Sequence, residues 1–265
     1  MSTVSDAPPI LFLETTIQID RVIGTQDRRA TITSHIGGRR LCTSGHVLGE
    51  YNRTLIRDAI TFRDLLRSSP SVEEAIKRLG RYAPYGRKYR RTVDLLASIG
   101  FDSDRQNTLD RLEIYIDWYL HKRFWESIDP SISTDNVRCF LRLWQPKLPD
   151  GETYDLVGLK CIKDNPPPCE VSAFIEQHRS ELQYFAQEAR SHPRPNVASA
   201  AEAFRRIIAG EEVPFGERSN CYAIADTLIV LEAPPDALVY SADGDVHVIC
   251  DIFSRARYTE VGTNV

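Results

Sequence analysis

Polar residues open the chain and give way at Ile10-Leu-Phe-Leu13 to a short apolar run, bounded by Pro9 and Glu14. A run so brief between a proline and a charge predicts a strand over 9–14, covered on both faces. Apolar positions then recur at Ile17, Ile19, Val22 and Ile23, a helix capped by Thr15-Thr16 and stopped by Gly24. Residues 25–40 are a polar stretch containing Gly37-Gly38. A second helix is predicted over about 44–67, with Val47, Leu48, Tyr51, Leu55, Ile56, Ala59 and Phe62 on one face.

The middle of the chain carries helical periodicity. Ser71 opens a segment through Leu79, with Glu74 completing a capping box, and Leu95 to Ile99 continue the theme. Thr108 to Ile128 reads as a longer helix carrying Leu112, Tyr115, Ile116, Tyr119 and Leu120. The aromatics around Trp118, Trp125 and Trp144 read as helical core. Residues 145–169 hold Pro146, Pro149, Gly151 and Pro166-Pro167-Pro168, and read as a loop. Helices are predicted from Glu170 to about Ser191 and from Ala198 to Ala209, with Gly210 past the end of the latter.

Toward the end the pattern alternates again. Residues 220–233 predict an apolar helix, Pro234-Pro235-Asp236 a turn, and Ala237 to Ser241 a buried strand with Asp243 just past it. Val246 to Phe253 is short and apolar, and Tyr258 to Val261 reads as an edge strand. Strands near both termini with helices between them predict a parallel sheet assembled from both ends of the chain.

Composition narrows the picture. At about 150 residues per domain, 265 residues suit one large domain or a domain with an insertion. The longest apolar run is five residues, Cys221 to Ala225, far short of the roughly 20 that a membrane span needs. The opening residues lack a basic region, so no secretory signal is expected, and the protein reads as soluble and cytoplasmic, without a membrane partner. A net charge of −4 excludes a globally cationic nucleic-acid binder but not a local basic patch. Cysteines 42, 139, 161, 169, 221 and 250 show no Cys-x-x-Cys spacing, and buried thiols are the better reading than a zinc site at Cys161, Cys169 and His178.

The chemistry concentrates in acids. Ligands in open α/β sheets gather at the carboxyl ends of strands, where Glu14 and Asp243 stand. Glu50 lies within the second helix, and Asp226 lies early in an otherwise apolar one, where an acid is costly unless paired or metal-bound. Converging carboxylates would take up protons unless a cation neutralised them. Mg²⁺ or Mn²⁺ suits such oxygen ligands and phosphodiester hydrolysis. Each acid also fits a plain structural role: Glu14 as a cap or pair at the sheet edge, Glu50 as a solvent-facing helix acid, Asp226 as a helix-start acid, Asp243 and Asp245 as turn residues.

The residues around these acids resemble a family. Ile10-Leu-Phe-Leu-Glu-Thr-Thr-Ile17 is similar to the opening strand and Asp-Thr-Asn of the PIN-domain nucleases. Thr43-Ser-Gly-His-Val-Leu-Gly-Glu50 resembles the second motif, a helix bearing one Glu. Ile224-Ala-Asp226 through Ala233 resembles the third, and Val239-Tyr-Ser-Ala-Asp243-Gly-Asp245 the fourth. The sequence departs from the pattern with Glu14 for Asp, Thr16 for Asn or Ser, and Val246 for Phe.

The resemblance implies an α/β fold of three layers, α/β/α, around a central parallel sheet. The nuclease domain would comprise 1–67 and 211–265, with 68–210 a large helical insertion. It further implies a metal-dependent endoribonuclease in which Glu14, Glu50, Asp226 and Asp243 hold Mg²⁺ or Mn²⁺, with Asp245 as a supporting acid. RNA is the implied substrate, less often single-stranded DNA, and an inhibitory or regulatory protein partner is compatible with the family. The alternative is an inactive member that binds RNA or a protein through the insertion.

A second feature is basic. Ala75 to Val93 holds seven Lys/Arg and no acid, and Arg81, Arg87, Lys88, Arg90 and Arg91 interleave with Tyr82, Tyr85 and Tyr89. Cations neutralise phosphates and tyrosines stack on unpaired bases, which suits single-stranded nucleic acid. A surface segment whose tyrosines pack on a neighbouring helix fits the pattern equally. Arg28-Arg29 and Arg39-Arg40 lie in a second acid-free stretch, 28–49. No Gly-x-Ser-x-Gly or His-x-x-x-His pattern occurs, and His247 reads as filling space beside the sheet.

Overall fold

A computed structural model describes residues 9–82, 86–100, 102–132, 134, 144–147, 155–158, 170–211, 221 and 223–260. The order is β1 (Leu11–Leu13), α1 (Thr15–Ile23), α2 (Gln26–Ile36), β2 (Leu41–Cys42), α3 (Gly45–Tyr51), a π-helical turn at Asn52–Ile56, and α4 (Arg57–Arg67). Next come α5 (Val72–Tyr82), α6 (Arg87–Ile99), α7 (Arg105–Ile114), a second π-helical turn at Tyr115–Tyr119, and α8 (Leu120–Trp125). Strands β3 (Trp144–Lys147) and β4 (Asp155–Gly158) pair antiparallel. Helices α9 (Glu170–Gln177), α10 (Arg179–Glu188), α11 (Pro195–Ile208) and α12 (Ala225–Glu232) lead to β5 (Leu238–Tyr240) and α13 (Gly244–Ile252). The chain is thus mostly helical around a small parallel sheet, which is compatible with the expected α/β class. Among the described residues no helix is long and apolar enough to cross a membrane.

The sheet runs β2-β1-β5, all parallel, with Leu11 opposite Leu41 on one side and Leu238 on the other. Single parallel bridges extend it, Ile128 beside Leu41 and Arg257 beside Val239. The latter falls one residue before the predicted edge strand. Side chains alternate across the pleat. Phe12, Cys42 and Val239 enter the larger apolar cluster, while Leu11, Leu13, Leu41 and Tyr240 enter a smaller one with Ile17 and Ile32. Both faces are therefore covered, which is why the strands read as unbroken apolar runs. The larger cluster draws on both parts of the sequence, Val47 and Tyr51 as well as Leu95, Leu112, Phe185 and Phe204.

The two π-helical turns share a sequence cause. Val47, Tyr51, Leu55 and Ala59 are buried at a spacing of four, and so are Leu112, Ile116, Leu120 and Phe124. In a regular helix of 3.6 residues per turn, a spacing of four drifts around the axis by about 40° per step. A wider turn in the middle of each run absorbs the drift and keeps one face on the core.

Several expectations are corrected. The polar stretch 25–40 contains α2, capped by Thr25 accepting from the Arg28 amide. The loop read over 145–169 contains β3 and β4. The helix read over 170–191 is two, α9 and α10, joined at His178. The apolar segment from Val246, which the sequence pattern left unassigned, is helical and begun by an Asp243 cap. Trp118 and Trp125 are not core: they are 56% and 51% exposed, because the buried spacing of four passes them by. The side chain of Trp144 lies outside the described residues. Cys42, Cys221 and Cys250 are buried thiols outside any disulfide, and burial pushes Cys42 and Cys250 up to about 12. Cys139, Cys161 and Cys169 lie outside the described residues.

Candidate carboxylate site at the sheet edge

Glu14 directly follows β1 and is itself the cap of α1, in place of the expected Thr15-Thr16. Its Oε2 accepts from the Thr16 amide at 2.9 Å, the Thr16 hydroxyl at 2.6 Å and the Ser241 hydroxyl at 2.9 Å. Its Oε1 accepts no hydrogen bond among the described residues. The residue is 3% exposed. Burial pushes the carboxyl up to about 7, and the nearby Glu50 charge adds to the rise against the opposing pull of Thr16 and Ser241.

Glu50 reaches the same place from α3. Its Oε2 accepts from the Thr15 hydroxyl at 2.9 Å, and Arg53 lies 3.5 Å from Oε1. Two consecutive threonines in the first turn of α1 thus hold two acids at the carboxyl end of the sheet. The Asp243 amide donates to Ser241 Oγ at 2.9 Å, and its Oδ1 caps α13 by accepting from the Asp245 amide at 2.8 Å. Ser241 Oγ therefore bridges the ends of β1 and β5, donating to Glu14 and accepting from Asp243.

The remaining acids stand differently. Asp245 accepts from Arg194 at 2.9 Å and Asn196 at 2.8 Å, at the start of α11. Partial burial works against its charge, but Asn196 and Arg194 outweigh burial and hold the carboxyl below the usual range. Asp226 is half-buried in the first turn of α12, which packs against α3. Farther along this contact, His46 meets Glu232 at 2.7 Å in a buried pair. Glu14 and Glu50 are the acids brought together. Among the described residues no three His, Cys, Asp or Glu side chains form a group able to hold a metal ion.

The basic segment divides. Arg91 donates through Nε at 3.0 Å and Nη2 at 2.6 Å to Asp58 Oδ2, and Lys88 lies 3.9 Å from Oδ1. Tyr89 packs against the core, whereas Arg81 and Arg90 are exposed. Tyr85 and the side chain of Arg87 lie outside the described residues.

Thr15, Ser241, Arg194 and Asn196 have no counterpart in the sequence reading as site residues. A hydroxyl closing a predicted buried strand was the local signal, at Ser241. Arg194 meets Asp245 across 51 positions, a pairing without any local trace. Comparison with protein-family models, curated proteins and solved structures returned no match.

Proposed function

We propose that the protein is a metal-dependent nuclease that hydrolyses phosphodiester bonds in RNA, on a three-layer α/β/α scaffold with a helical insertion. The observation that carries this reading is the pair Glu14 and Glu50 at the carboxyl edge of the parallel sheet, with Glu14 pushed up to about 7. A buried carboxyl beside a second, half-buried one favours a divalent cation. The donor set fits: Mg²⁺ commonly takes one or two carboxylates and completes its shell with water and phosphate. Glu14 and Glu50 would hold it directly, and Asp226 and Asp243, which do not form one group with them, would act on it through bound water. When bound, such an ion polarises a phosphoryl oxygen and makes a bound water more acidic.

The chain's own groups prepare the site. Thr16 and Ser241 occupy Glu14 Oε2 and leave Oε1 for a ligand. Thr15 holds Glu50 Oε2, and Arg53 lies beside Oε1. An inactive RNA-binding or protein-binding module is the second reading, favoured by the tie of Asp245 to Arg194.

Incubating the full chain with labelled single-stranded RNA in Mn²⁺, against a chelator control, separates the two. Cleavage is expected only with the cation. Asp243→Asn keeps the helix cap and removes one charge, so the rate should fall roughly 100-fold with melting unchanged. A normally melting variant that cuts at the parental rate would remove Asp243 from the site.

A further inference from the structure

On the side of β5 away from β1, the sheet edge opens into a pocket of about 210 Å³, next to Glu14 through the shared Ser241. Its walls include Ser241 after β5, His247 on α13, Arg28 on α2, and Arg257, Thr259 and Glu260 of the closing segment.

Its polar groups are held firmly. Arg28 Nε donates to Asp20 at 3.0 Å and Nη1 to Glu260 Oε1 at 2.5 Å. The Tyr240 hydroxyl donates to the same oxygen at 2.6 Å and lies 3.2 Å from His35 Nδ1. Glu260 Oε2 and Arg28 Nη2 take part in no hydrogen bond among the described residues. A fixed acceptor thus sits beside a fixed donor. His247 Nε2 donates to the Ser241 carbonyl at 2.8 Å, which fixes the ring beside the pocket.

This combination selects against a bare phosphate, because burial of Glu260 is outweighed by Tyr240 and Arg28, which keep its carboxylate charged. It matches the edge of a nucleobase, where an N–H donor adjoins an oxygen or nitrogen acceptor. Carboxylates accept from base amino groups and guanidiniums donate to base oxygens and nitrogens.

We propose that this pocket holds one nucleobase of a single-stranded RNA and gives the neighbouring carboxylate site its base preference. The inference rests on the nuclease reading for the identity of the strand, though not for the chemistry of the pocket.

The test is calorimetric binding of the four nucleoside 5′-monophosphates, ribose 5-phosphate and inorganic phosphate to the full chain in chelator. At least one nucleotide should bind tenfold or more tightly than either phosphate control. Thr259 is exposed, so Thr259→Trp can fill the pocket without touching the core, and should cut that affinity at least tenfold at an unchanged melting temperature. Glu260→Gln retains an oxygen for Arg28 and Tyr240 and should change the ranking of the bases. Equal binding of inorganic phosphate, no binding at millimolar nucleotide, or a preference untouched by both substitutions overturns the proposal. Base-selective binding without RNA cleavage would sink the nuclease reading and leave the pocket standing. Cleavage with a base preference that ignores both substitutions would do the reverse.

Discussion

With Glu14 replaced by Gln, the protein should melt higher than the parent at pH 8 in chelator, and RNA cleavage should drop roughly 100-fold or more. The two effects share one cause. The parent carboxyl lies at about 7 in the folded chain against 4.5 for the ordinary group. Between those values the folded state holds a proton that the unfolded state has released. The stabilisation is therefore complete below pH 4.5 and lost as pH rises through 7. At 1.36 kcal/mol per pH unit, this cost reaches about 3 kcal/mol at pH 8.

The amide of the Glu14→Gln variant would keep one oxygen for Thr16 and Ser241 but carries no charge to desolvate. The variant's gain over the parent should appear at pH 8 as roughly 6–12 °C and vanish near pH 4. Mn²⁺ at about a hundred times its dissociation constant should return about 2.7 kcal/mol to the parent and little to the variant. Melting curves from pH 4 to 8, with and without the cation, decide it. A parental melting temperature no more sensitive to pH than that of the variant would show that Glu14 carries no such burden, and would remove the main support for a cation site.

How much of this was legible in the sequence depended on whether the cause was local. The β1 and β5 strands were legible because burial on both faces leaves no polar interruption. Their position also marked Glu14 and Asp243, since the residue following such a strand must stand at the sheet's carboxyl edge. Helix α2 was not legible: only Ile32 of its eleven residues is buried, so the apolar stripe that announces a helix is missing. Trp118 and Trp125 misled for the opposite reason. Their bulk suggested core, whereas the spacing of Leu112, Ile116, Leu120 and Phe124 had already filled the buried face. The double hold of Thr15 and Thr16 on two acids needed the third dimension, because Glu50 lies 35 residues from Thr15.

The basic segment poses the same question of local pattern against distant partner, and Arg91 decides it. Asp58 is 1% exposed, and Arg91 provides both of the hydrogen bonds to its Oδ2. Its Oδ1 takes no hydrogen bond, with Arg57 3.8 Å and Lys88 3.9 Å away. Arg91→Ala would leave a buried carboxylate without a direct partner, which costs about 3–5 kcal/mol. The two remaining cations favour the lower end, a fall of roughly 6–12 °C in melting temperature. Replacing the pair together, Asp58→Leu with Arg91→Met, should restore most of that loss, because apolar groups of similar volume need no compensation. Arg81 and Arg90 are exposed, so their removal should leave melting unchanged. If they touch phosphates, the double variant Arg81→Ala with Arg90→Ala lowers the salt slope of RNA binding by about 0.7 for each lost contact. Arg91→Ala should lower the melting temperature and leave that slope alone. A reduced slope at the parental melting temperature would mean instead that Arg91 reaches the strand in solution and Asp58 does not depend on it.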